Sequence, residues 1–285
     1  MLSFQELKKS VKHMPAGLPQ IKVALVGDTA TQFLGTAIRG VGIERGYQVE
    51  LFEAEYNQVE RQFLDPTSEL YEFDADFIVV FQSTHKLGEK HSALNPEQQN
   101  TLADDRLAFV SSLCENPALA NKKIIYFDYP EIEDTIFGSY ATKVTSSLTY
   151  QVRKLNMGLM DLSQQYANLF ICDIAGLQNK LGRDFIFAPN VYVSTEMVLS
   201  IDALPYVASR VMDIICAIKG QFKKCLILDL DNTVWGGVIG DDGLEGIQLG
   251  HGLGIGKAFT EFQMWVWWRW HHARLFCSPG YYQIQ

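Results

Sequence analysis

Two aspartates, Asp229 and Asp231, directly follow a run of four apolar residues, Cys225 to Leu228. Such a run predicts a fully buried strand that emerges at its carboxyl end at Asp229. In open α/β sheets this is the edge where ligands bind. Side chains two residues apart point to the same side of an extended chain, so both carboxylates can address one ion or phosphate if the strand ends and turns there. The polar step at Asn232 and Thr233 allows that turn.

The chemistry open to this pair of carboxylates is phosphoryl transfer. Asp229 is placed to attack phosphorus and form an aspartyl-phosphate. Asp231 is placed to protonate the leaving oxygen and then to deprotonate an attacking water. Two carboxylates and a phosphate need a hard counter-cation, which predicts Mg²⁺. A bare Asp-x-Asp is also typical of an exposed acidic turn, whereas a hydrophilic calcium loop is excluded by the apolar residues before Asp229 and at Leu230.

The longer string around these aspartates is much more specific. Residues 225–250 read Cys-Leu-Ile-Leu-Asp-Leu-Asp-Asn-Thr-Val-Trp-Gly-Gly-Val-Ile-Gly-Asp-Asp-Gly-Leu-Glu-Gly-Ile-Gln-Leu-Gly. Over about residues 222–263 the chain resembles the first motif and following flap of the haloacid dehalogenase superfamily, in its FkbH-like branch. The resemblance implies Asp229 as nucleophile and Mg²⁺ ligand, Asp231 as acid and base with its carbonyl on the metal, and Thr233 as a supporting residue.

The same resemblance implies the substrate class and the alternatives. A phosphorylated small molecule is the expected substrate of a Mg²⁺-dependent phosphatase or phosphoryl-transfer enzyme. FkbH-like relatives load a glyceryl unit from a phosphorylated glycerate onto an acyl carrier protein. This glyceryl transfer is the alternative function, and an acyl carrier protein is then an expected partner. A third alternative is a non-catalytic module that binds a partner, in which the carboxylates are vestigial.

Length and composition limit the classes of protein to which the chain can belong. With 285 residues, 47% of them hydrophobic, the chain can form one large or two ordinary soluble domains. A net charge of -9 without a dense Lys/Arg cluster argues against nucleic-acid and anionic-membrane partners. The five scattered cysteines lack metal-binding spacing and suit a reducing cytosol, so we expect a cytoplasmic protein. No segment has the pattern of a signal peptide or a transmembrane span.

The first 220 residues alternate strands with helices, which predicts α/β architecture: a doubly wound, mostly parallel sheet with helices on both faces. Strands are predicted at Ile21–Val26, Gln48–Phe52, Asp76–Phe81, Lys123–Phe127 and Leu169–Asp173. Helices are predicted at residues 3–12, Thr31–Arg45, Pro96–Glu115, Thr142–Gln165 and Leu204–Ile218. Residues 1–220 form the first predicted domain, 221–265 the incomplete start of a haloacid-dehalogenase-like Rossmannoid domain, and 266–285 an aberrant tail.

The first domain has its own candidate site at Gly27, Asp28 and Thr29. These residues lie between a strand and a helix, where backbone N–H groups and a hydroxyl suit an anion. The Gly-Asp pair in this position resembles the first block of the SGNH hydrolases, which implies an SGNH/flavodoxin-like fold. In that family the next residue is the serine nucleophile, which is Thr29 here, and the histidine expected in the region Phe187–Val193 is missing. His85 is the remaining candidate base, and we expect a degenerate hydrolase domain that carries or recognises a partner.

The last part of the chain is predicted to contain a flap and then to change character. Residues 235–249 predict a hairpin around a Gly240–Gly243 turn, placed to exclude water from the site. The residues after Met264 hold four of the five tryptophans without helical periodicity. Shifting the Trp-rich codons by one base can spell Gly-Gly-Xaa-Gly-Ile-Met-Leu-Val-Cys-Ser, the strand that the resemblance requires. We therefore expect a frameshift after about residue 265 and an inactive chain, with a genuine aromatic binding tail as the alternative.

Overall fold

The computed structural model describes residues 1–133, 135–221 and 226–273, with side chains as far as residue 268. Cys225 and the predicted tail from residue 274 onward lie outside the described residues. The chain divides into two compact units, Met1–Gln221 and Phe222–Gln285. In the described ranges no helix combines the length and the apolar character that crossing a membrane would require.

A parallel sheet of five strands forms the centre of the first unit. The strands are β1 (Gln20–Gly27), β2 (Gln48–Glu53), β3 (Phe77–Phe81), β4 (Lys123–Phe127) and β5 (Leu169–Cys172). They lie in the order β2-β1-β3-β4-β5 and every neighbouring pair is parallel. The strand order reverses at β1 and β3, whose carboxyl ends therefore form the crevice in which such sheets bind ligands. The predicted parallel α/β sheet is confirmed.

Helices cover both faces of this sheet. They are α1 (Phe4–Lys12), α2 (Gln32–Glu44), α3 (Val59–Leu64), α4 (Glu69–Phe73), α5 (Thr84–Ala93), α6 (Pro96–Glu115), α7 (Leu148–Gln165), α8 (Ile174–Leu181), α9 (Arg183–Ile186), α10 (Pro189–Thr195) and α11 (Leu204–Ile218), with 3₁₀ helices at Pro117–Leu119 and Gly138–Lys143. One core packs α1, α2, α8 and α11 against the sheet, and the other packs α6 and α7. Alternate strand residues enter opposite cores, as a period of two requires.

Side-chain capping fixes where the long helices begin. α6 begins at Pro96, preceded by Asn95, which forms a capping box with Gln98. α7 begins at Leu148 instead of the predicted Thr142, because the Ser147 hydroxyl accepts the Tyr150 N–H at 3.2 Å. Thr142 lies in the second 3₁₀ helix. The predicted start of this helix was therefore wrong by about two turns.

The second unit, in its described part, contains α12 (Ile239–Gly246) and α13 (Ile255–Ala273). The predicted buried strand before Asp229 is wrong over its described residues: Leu226 and Ile227 are 53% and 90% exposed and belong to no strand. Within residues 226–273 the only strand-like pairings are two isolated bridges, from Asp231 to Trp235 and from Gly236 to Gln248. A parallel strand is stable only beside neighbouring strands, and these residues supply none.

The predicted flap and the start of the tail also differ from expectation. α12 occupies the predicted Gly240–Gly243 turn and is broken at Gly243, where φ is +65°. Only the bridge from Gly236 to Gln248 is antiparallel, as a hairpin requires. Helix α13 continues past Met264 to Ala273, so the lack of an apolar period there did not prevent a helix. Residues 264–273 contain neither Gly nor Pro, the two residue types that break a helix most strongly.

Candidate functional site

The carboxylate of Asp231 is held in place by two donors. The chain makes a turn after Leu230, whose carbonyl accepts the Val234 N–H at 2.8 Å. This turn directs Asp231 Oδ1 to the Trp235 indole N–H at 3.1 Å and to the Ile239 backbone N–H at 3.2 Å. The second carboxylate oxygen, Oδ2, accepts no hydrogen bond from the described residues. Asp231 is half-buried and oriented, with one oxygen still available for a ligand.

Asp229 has a more open environment. It is exposed, and its Oδ1 accepts the neighbouring Leu230 N–H at 2.8 Å. Thr233 is half-buried, and its N–H donates to the Leu230 carbonyl at 3.3 Å. The described hydrogen bonds join neither Asp229 nor Thr233 to the Asp231 carboxylate. The three predicted residues thus lie on one turn, but only Asp231 has a fixed side chain.

Asn232 closes the loop behind Asp231, a role that sequence reasoning missed. Its φ is +53°, a left-handed conformation that asparagine tolerates better than most residues. Its Oδ1 accepts the Gly237 N–H at 2.9 Å, and its own N–H donates to the Gly237 carbonyl at 3.2 Å. At Gly237, φ is +98°, and a Cβ would lie 2.8 Å from Asp242 Oδ2. Asn followed at a short distance by Gly-Gly was the signal available in the sequence.

The donor set at this turn fits Mg²⁺. Among the side chains that the structure describes, no group of three or more His, Cys, Asp or Glu is placed to hold a metal ion. Mg²⁺ does not need such a group, because it is usually bound by one or two carboxylates together with waters and substrate phosphates. The Asp229 carboxylate is a donor of that type, and the Asp231 carbonyl oxygen, which the resemblance assigns to the metal, is a further hard donor.

In the first unit, Asp28 lies at the sheet crevice and contacts the loop after β3. Both of its carboxylate oxygens accept the Ser83 backbone N–H at 2.9 Å. Burial raises the pKa of Asp28 to about 7, although hydrogen bonds from Ser83 and the charges of Arg106 and Lys86 oppose this. The Asp28 carboxyl therefore exchanges a proton near neutral pH.

A buried polar network lies beside Asp28 and was not foreseen from the sequence. Gln82 Oε1 accepts hydrogen bonds from Arg106 Nη1 at 3.1 Å and from the Tyr126 hydroxyl. The Tyr126 and Tyr129 hydroxyls are 2.7 Å apart. Burial raises the pKa of Tyr126 to about 12, so it remains a neutral donor. Satisfied networks of this kind fix side-chain positions, here those around the end of β3.

The corner formed by Gly27, Asp28 and Thr29 has few free donors. The N–H groups of Asp28 and Ala30 donate to the carbonyls of Phe81 and Glu196, at 3.1 and 3.0 Å. Thr29 is fully buried, and its hydroxyl has no hydrogen-bond partner in the described residues. The hydroxyl is thus not presented to solvent as a nucleophile would be. Anion binding at this corner stays a prediction, and the bound anion would have to displace existing contacts.

His85 is half-buried between two aromatic rings. Its ring centroid is 5.0 Å from that of Phe187 and 5.2 Å from that of Tyr192. Burial lowers its pKa, and the charge of Arg183 acts in the same direction. Neither the buried Nδ1 atom nor the Thr29 hydroxyl has a hydrogen-bond partner among the described residues, so no hydrogen bond joins the two side chains. The structure does not bring these two predicted residues together as nucleophile and base.

A cluster of charges fixes α10 near this crevice. Lys86 Nζ lies 3.2 Å from Glu89 and 3.0 Å from Glu196, and the hydrogen bond to Glu196 is the main cause that raises the Lys86 pKa. Glu89 also accepts the Tyr192 hydroxyl at 2.8 Å. Glu196 has a φ of +58°, a strained value for a residue with a side chain. These contacts hold a helix with no buried residues in one position.

The chain matches known sequences and structures. Residues 22–216 match the family described as FkbH, N-terminal domain. The crystal structure of the N-terminal part of the protein BF1531 from Bacteroides fragilis, containing a phosphatase domain complexed with Mg, is 62% identical with a TM-score of 0.91. That match covers 95% of this chain and 72% of the other chain.

More distant structures are similar only in part. The acetyl xylan esterase AlAXEase is 13% identical with a TM-score of 0.43, and the match covers 68% of this chain and all of that one. A GDSL-like lipase from Bacteroides thetaiotaomicron is also 13% identical, with a TM-score of 0.42 and coverage of 77% and 100%. Similarities with TM-scores this low do not inform the site. No curated protein matches the chain.

Proposed function

Because the chain belongs to the FkbH N-terminal domain family, we propose that it is part of a Mg²⁺-dependent enzyme that transfers a phosphoryl group through Asp229. The observation that carries the proposal is the turn Asp229 to Thr233, found in a chain 62% identical to a protein that contains a phosphatase domain complexed with Mg. A phosphorylated small molecule is the proposed substrate.

The two aspartates have separate roles in this reaction. A carboxylate oxygen of Asp229 attacks phosphorus, and the bond from phosphorus to the ester oxygen breaks. Asp231 gives its proton to the departing oxygen, then takes a proton from a water that attacks phosphorus. That second attack breaks the bond between phosphorus and Asp229 and releases inorganic phosphate. The Asp229 carboxylate and the Asp231 carbonyl oxygen would hold Mg²⁺, which when bound would supply positive charge that offsets the phosphate oxygens.

The geometry at Asp231 supports its role as acid and base. Trp235 and Ile239 donate to a single oxygen, Oδ1, which leaves Oδ2 to carry the transferred proton. An oriented carboxyl loses less entropy on reaching its reacting geometry than a freely rotating one. Among the described residues Asp229 accepts only the N–H of the neighbouring Leu230, so substrate and metal must complete its orientation on binding.

As a second candidate function we propose glyceryl transfer, in which the thiol of a carrier protein takes the place of water as the acceptor. The match to the FkbH N-terminal domain family supports glyceryl transfer from a phosphorylated glycerate to an acyl carrier protein. The two reactions differ in product: a free alcohol and phosphate, or a glyceryl thioester on the carrier. The alternative of a non-catalytic binding module predicts neither product.

We further propose that the chain as given turns over poorly. Leu226 and Ile227 are exposed and Asp229 faces solvent, whereas phosphoryl transfer depends on positioning and on a site that excludes water. A chain continued in the shifted reading frame after about residue 265 would supply the strand that the Leu226–Leu228 segment needs as a neighbour.

The test compares the given chain with the frame-corrected chain on a panel of phosphomonoesters with Mg²⁺. We expect turnover only from the corrected chain, and a phospho-aspartate trapped by acid quench and mapped to Asp229 by mass spectrometry. Asp229→Asn should abolish both signals, while Asp241→Asn, at an exposed residue of α12 without a described hydrogen bond from its side chain, should keep them. Turnover that survives Asp229→Asn would show that Asp229 is not the nucleophile. Equal turnover by the given and the frame-corrected chains would contradict the frameshift hypothesis.

The expected compartment is a reducing one. Cys114, Cys172 and Cys216 are free thiols and all three are buried, which supports the proposal of a cytoplasmic protein because disulfides are rare there. Identical thermal melting with and without a reducing agent is the expected result. A stability gain under oxidising conditions would contradict it.

A further inference from the structure

Helix α7 has apolar side chains on two faces. Its inner face buries Val152, Leu155 and Leu159 in the core of the first unit. On its outer face, Met157 and Met160 are 58% and 52% exposed. The outer face of a surface helix is normally polar, and exposed methionines are typical of contact surfaces because their side chains adapt to a partner.

A groove of about 580 Å³ runs along this outer face and borders α6. Part of its lining is Leu107 of α6, which lies against Gly158 of α7: a Cβ at position 158 would be 2.4 Å from Leu107 Cδ1. Met157, Lys154 and Asp161 also line the groove. The groove therefore combines an apolar surface with two basic residues, Arg153 and Lys154, and the acidic Asp161, all on α7.

The charges along the groove are arranged asymmetrically. Lys154 Nζ lies 2.6 Å from Asp104 of α6, and Arg153 is paired with Glu131 through two hydrogen bonds. Asp161 has no hydrogen bond or ion pair in the described part of the chain. It lies seven residues after Lys154, which is two helical turns, so both side chains are on the same face. Lys154 thus lies at one end of the outer face of α7, and the unpaired Asp161 lies at the other.

We propose that this face is the interface between two copies of the chain, with α7 packed antiparallel against α7 of the partner subunit. A two-fold axis between Met157 and Gly158 places Lys154 of each copy opposite Asp161 of the partner subunit. It also brings the exposed Met157 side chains of the two copies together beside the axis. Two-fold symmetry forms the contact between Lys154 and Asp161 twice.

A second copy is the occupant because the face complements itself. The acidic and basic residues have the spacing that an antiparallel copy of the same helix requires, and Asp161 gains the cation that it lacks within its own chain. An anionic membrane would be repelled by Asp161 and by the net charge of -9. The inference does not depend on the proposed enzymatic function.

The test is sedimentation equilibrium of the full chain over a wide concentration range. We expect a reversible dimer that weakens as salt is added. Asp161→Lys should weaken association by more than about tenfold, because like charges then face each other twice. Glu44→Lys makes the same change of charge at an exposed residue of α2 and should leave association unchanged. Circular dichroism would check that each variant keeps its helices.

Mixing two variants makes the test specific for this arrangement. Lys154→Asp and Asp161→Lys should each be monomeric alone, since each homodimer would bring like charges together. Combined in equal amounts they should form a heterodimer, because every facing pair is then of opposite sign. A monomeric parent chain, association of Asp161→Lys as tight as that of Glu44→Lys, or a mixture that stays monomeric would each overturn the proposal.

Discussion

Asp28 and Ser83 are joined across the crevice of the sheet, where both carboxylate oxygens of Asp28 accept the Ser83 backbone N–H at 2.9 Å. The pair links the loop after β1 to the beginning of α5, whose first turn is capped by the Ser83 hydroxyl. Burial raises the pKa of this carboxyl to about 7. The contact therefore couples the stability of the first unit to pH.

Replacing Asp28 with asparagine should reduce the pH dependence of stability. The folded carboxyl has a pKa of about 7 against an ordinary value of 3.8, so between these values the folded state binds more protons than the unfolded state. The free energy of unfolding then falls as pH rises through this window. Between pH 5 and 8 the parent chain should lose free energy of unfolding, and we expect Asp28→Asn to reduce that loss by on the order of 2 kcal/mol. Urea unfolding at each pH measures it.

The control for that measurement is Asp202→Asn, at an exposed aspartate of the same unit. It should leave the pH profile of the parent chain unchanged. Burial also raises the pKa of Asp128, with a further contribution from the neighbouring Asp173. In Asp28→Asn the free energy of unfolding should therefore still fall as pH rises, but less steeply than in the parent. A pH dependence identical to that of the parent would show that Asp28 is not the group responsible.

Replacing Thr29 with valine should stabilise the first unit. The Thr29 hydroxyl is fully buried and has no hydrogen-bond partner in the described residues. Valine has nearly the same shape, so the change removes an unsatisfied polar group without leaving a cavity. We expect a gain of about 1 kcal/mol in the free energy of unfolding. Thr29→Ser keeps the hydroxyl and loses a methyl group, and should be less stable than the parent.

The first unit should show no hydrolysis of generic acyl esters. Acyl transfer needs a nucleophile activated by a hydrogen-bonded base, and neither Thr29 Oγ1 nor His85 Nδ1 has a partner in the described structure. Ester hydrolysis measured with the parent and with Thr29→Ala should be equal and at background. Robust hydrolysis lost in Thr29→Ala would make this unit a second active centre.

Replacing Trp235 with phenylalanine should weaken metal binding at Asp231. The indole N–H donates to Asp231 Oδ1 at 3.1 Å, and groups that orient a metal ligand contribute strongly to affinity. We expect about tenfold weaker Mg²⁺ binding in the frame-corrected chain, measured by calorimetric titration. Tyr140→Phe, at an exposed aromatic residue of the first unit, should bind as the parent does. Equal affinities for all three chains would show that the indole does not position Asp231.

Local signals accounted for much of the first unit. α6 was predicted with correct ends because Asn95, Pro96 and Gln98 form a start signal within four residues. The start of α7 was missed because a single Ser147 hydroxyl bond outweighs the propensity of the residues before it. The Asp28–Ser83 contact joins residues far apart in the chain, and its formation depends on the strand order, which the sequence pattern alone does not specify.

The second unit shows where local patterns are insufficient. An apolar run such as Leu226–Leu228 has high strand propensity, but a strand forms through hydrogen bonds to neighbours. Within residues 226–273 those neighbours are absent, and Leu226 and Ile227 are exposed. The contacts of Asp231 with Trp235 and Ile239 depend on a turn of a few residues. Of this arrangement, the sequence pattern indicated only that the chain turns at Asn232 and Thr233.

The hydrogen bond from the Ala30 N–H to the Glu196 carbonyl makes one amide a reporter for a distant segment. Ala30 follows the first strand, but its amide proton is protected by the residue that ends α10. Exchange of that proton with solvent deuterium therefore requires α10 to detach, while the amides within β1 need the sheet itself to open. A ligand that tightens or loosens the Lys86–Glu196 ion pair would change the deuterium uptake of Ala30 before it changed that of the strand.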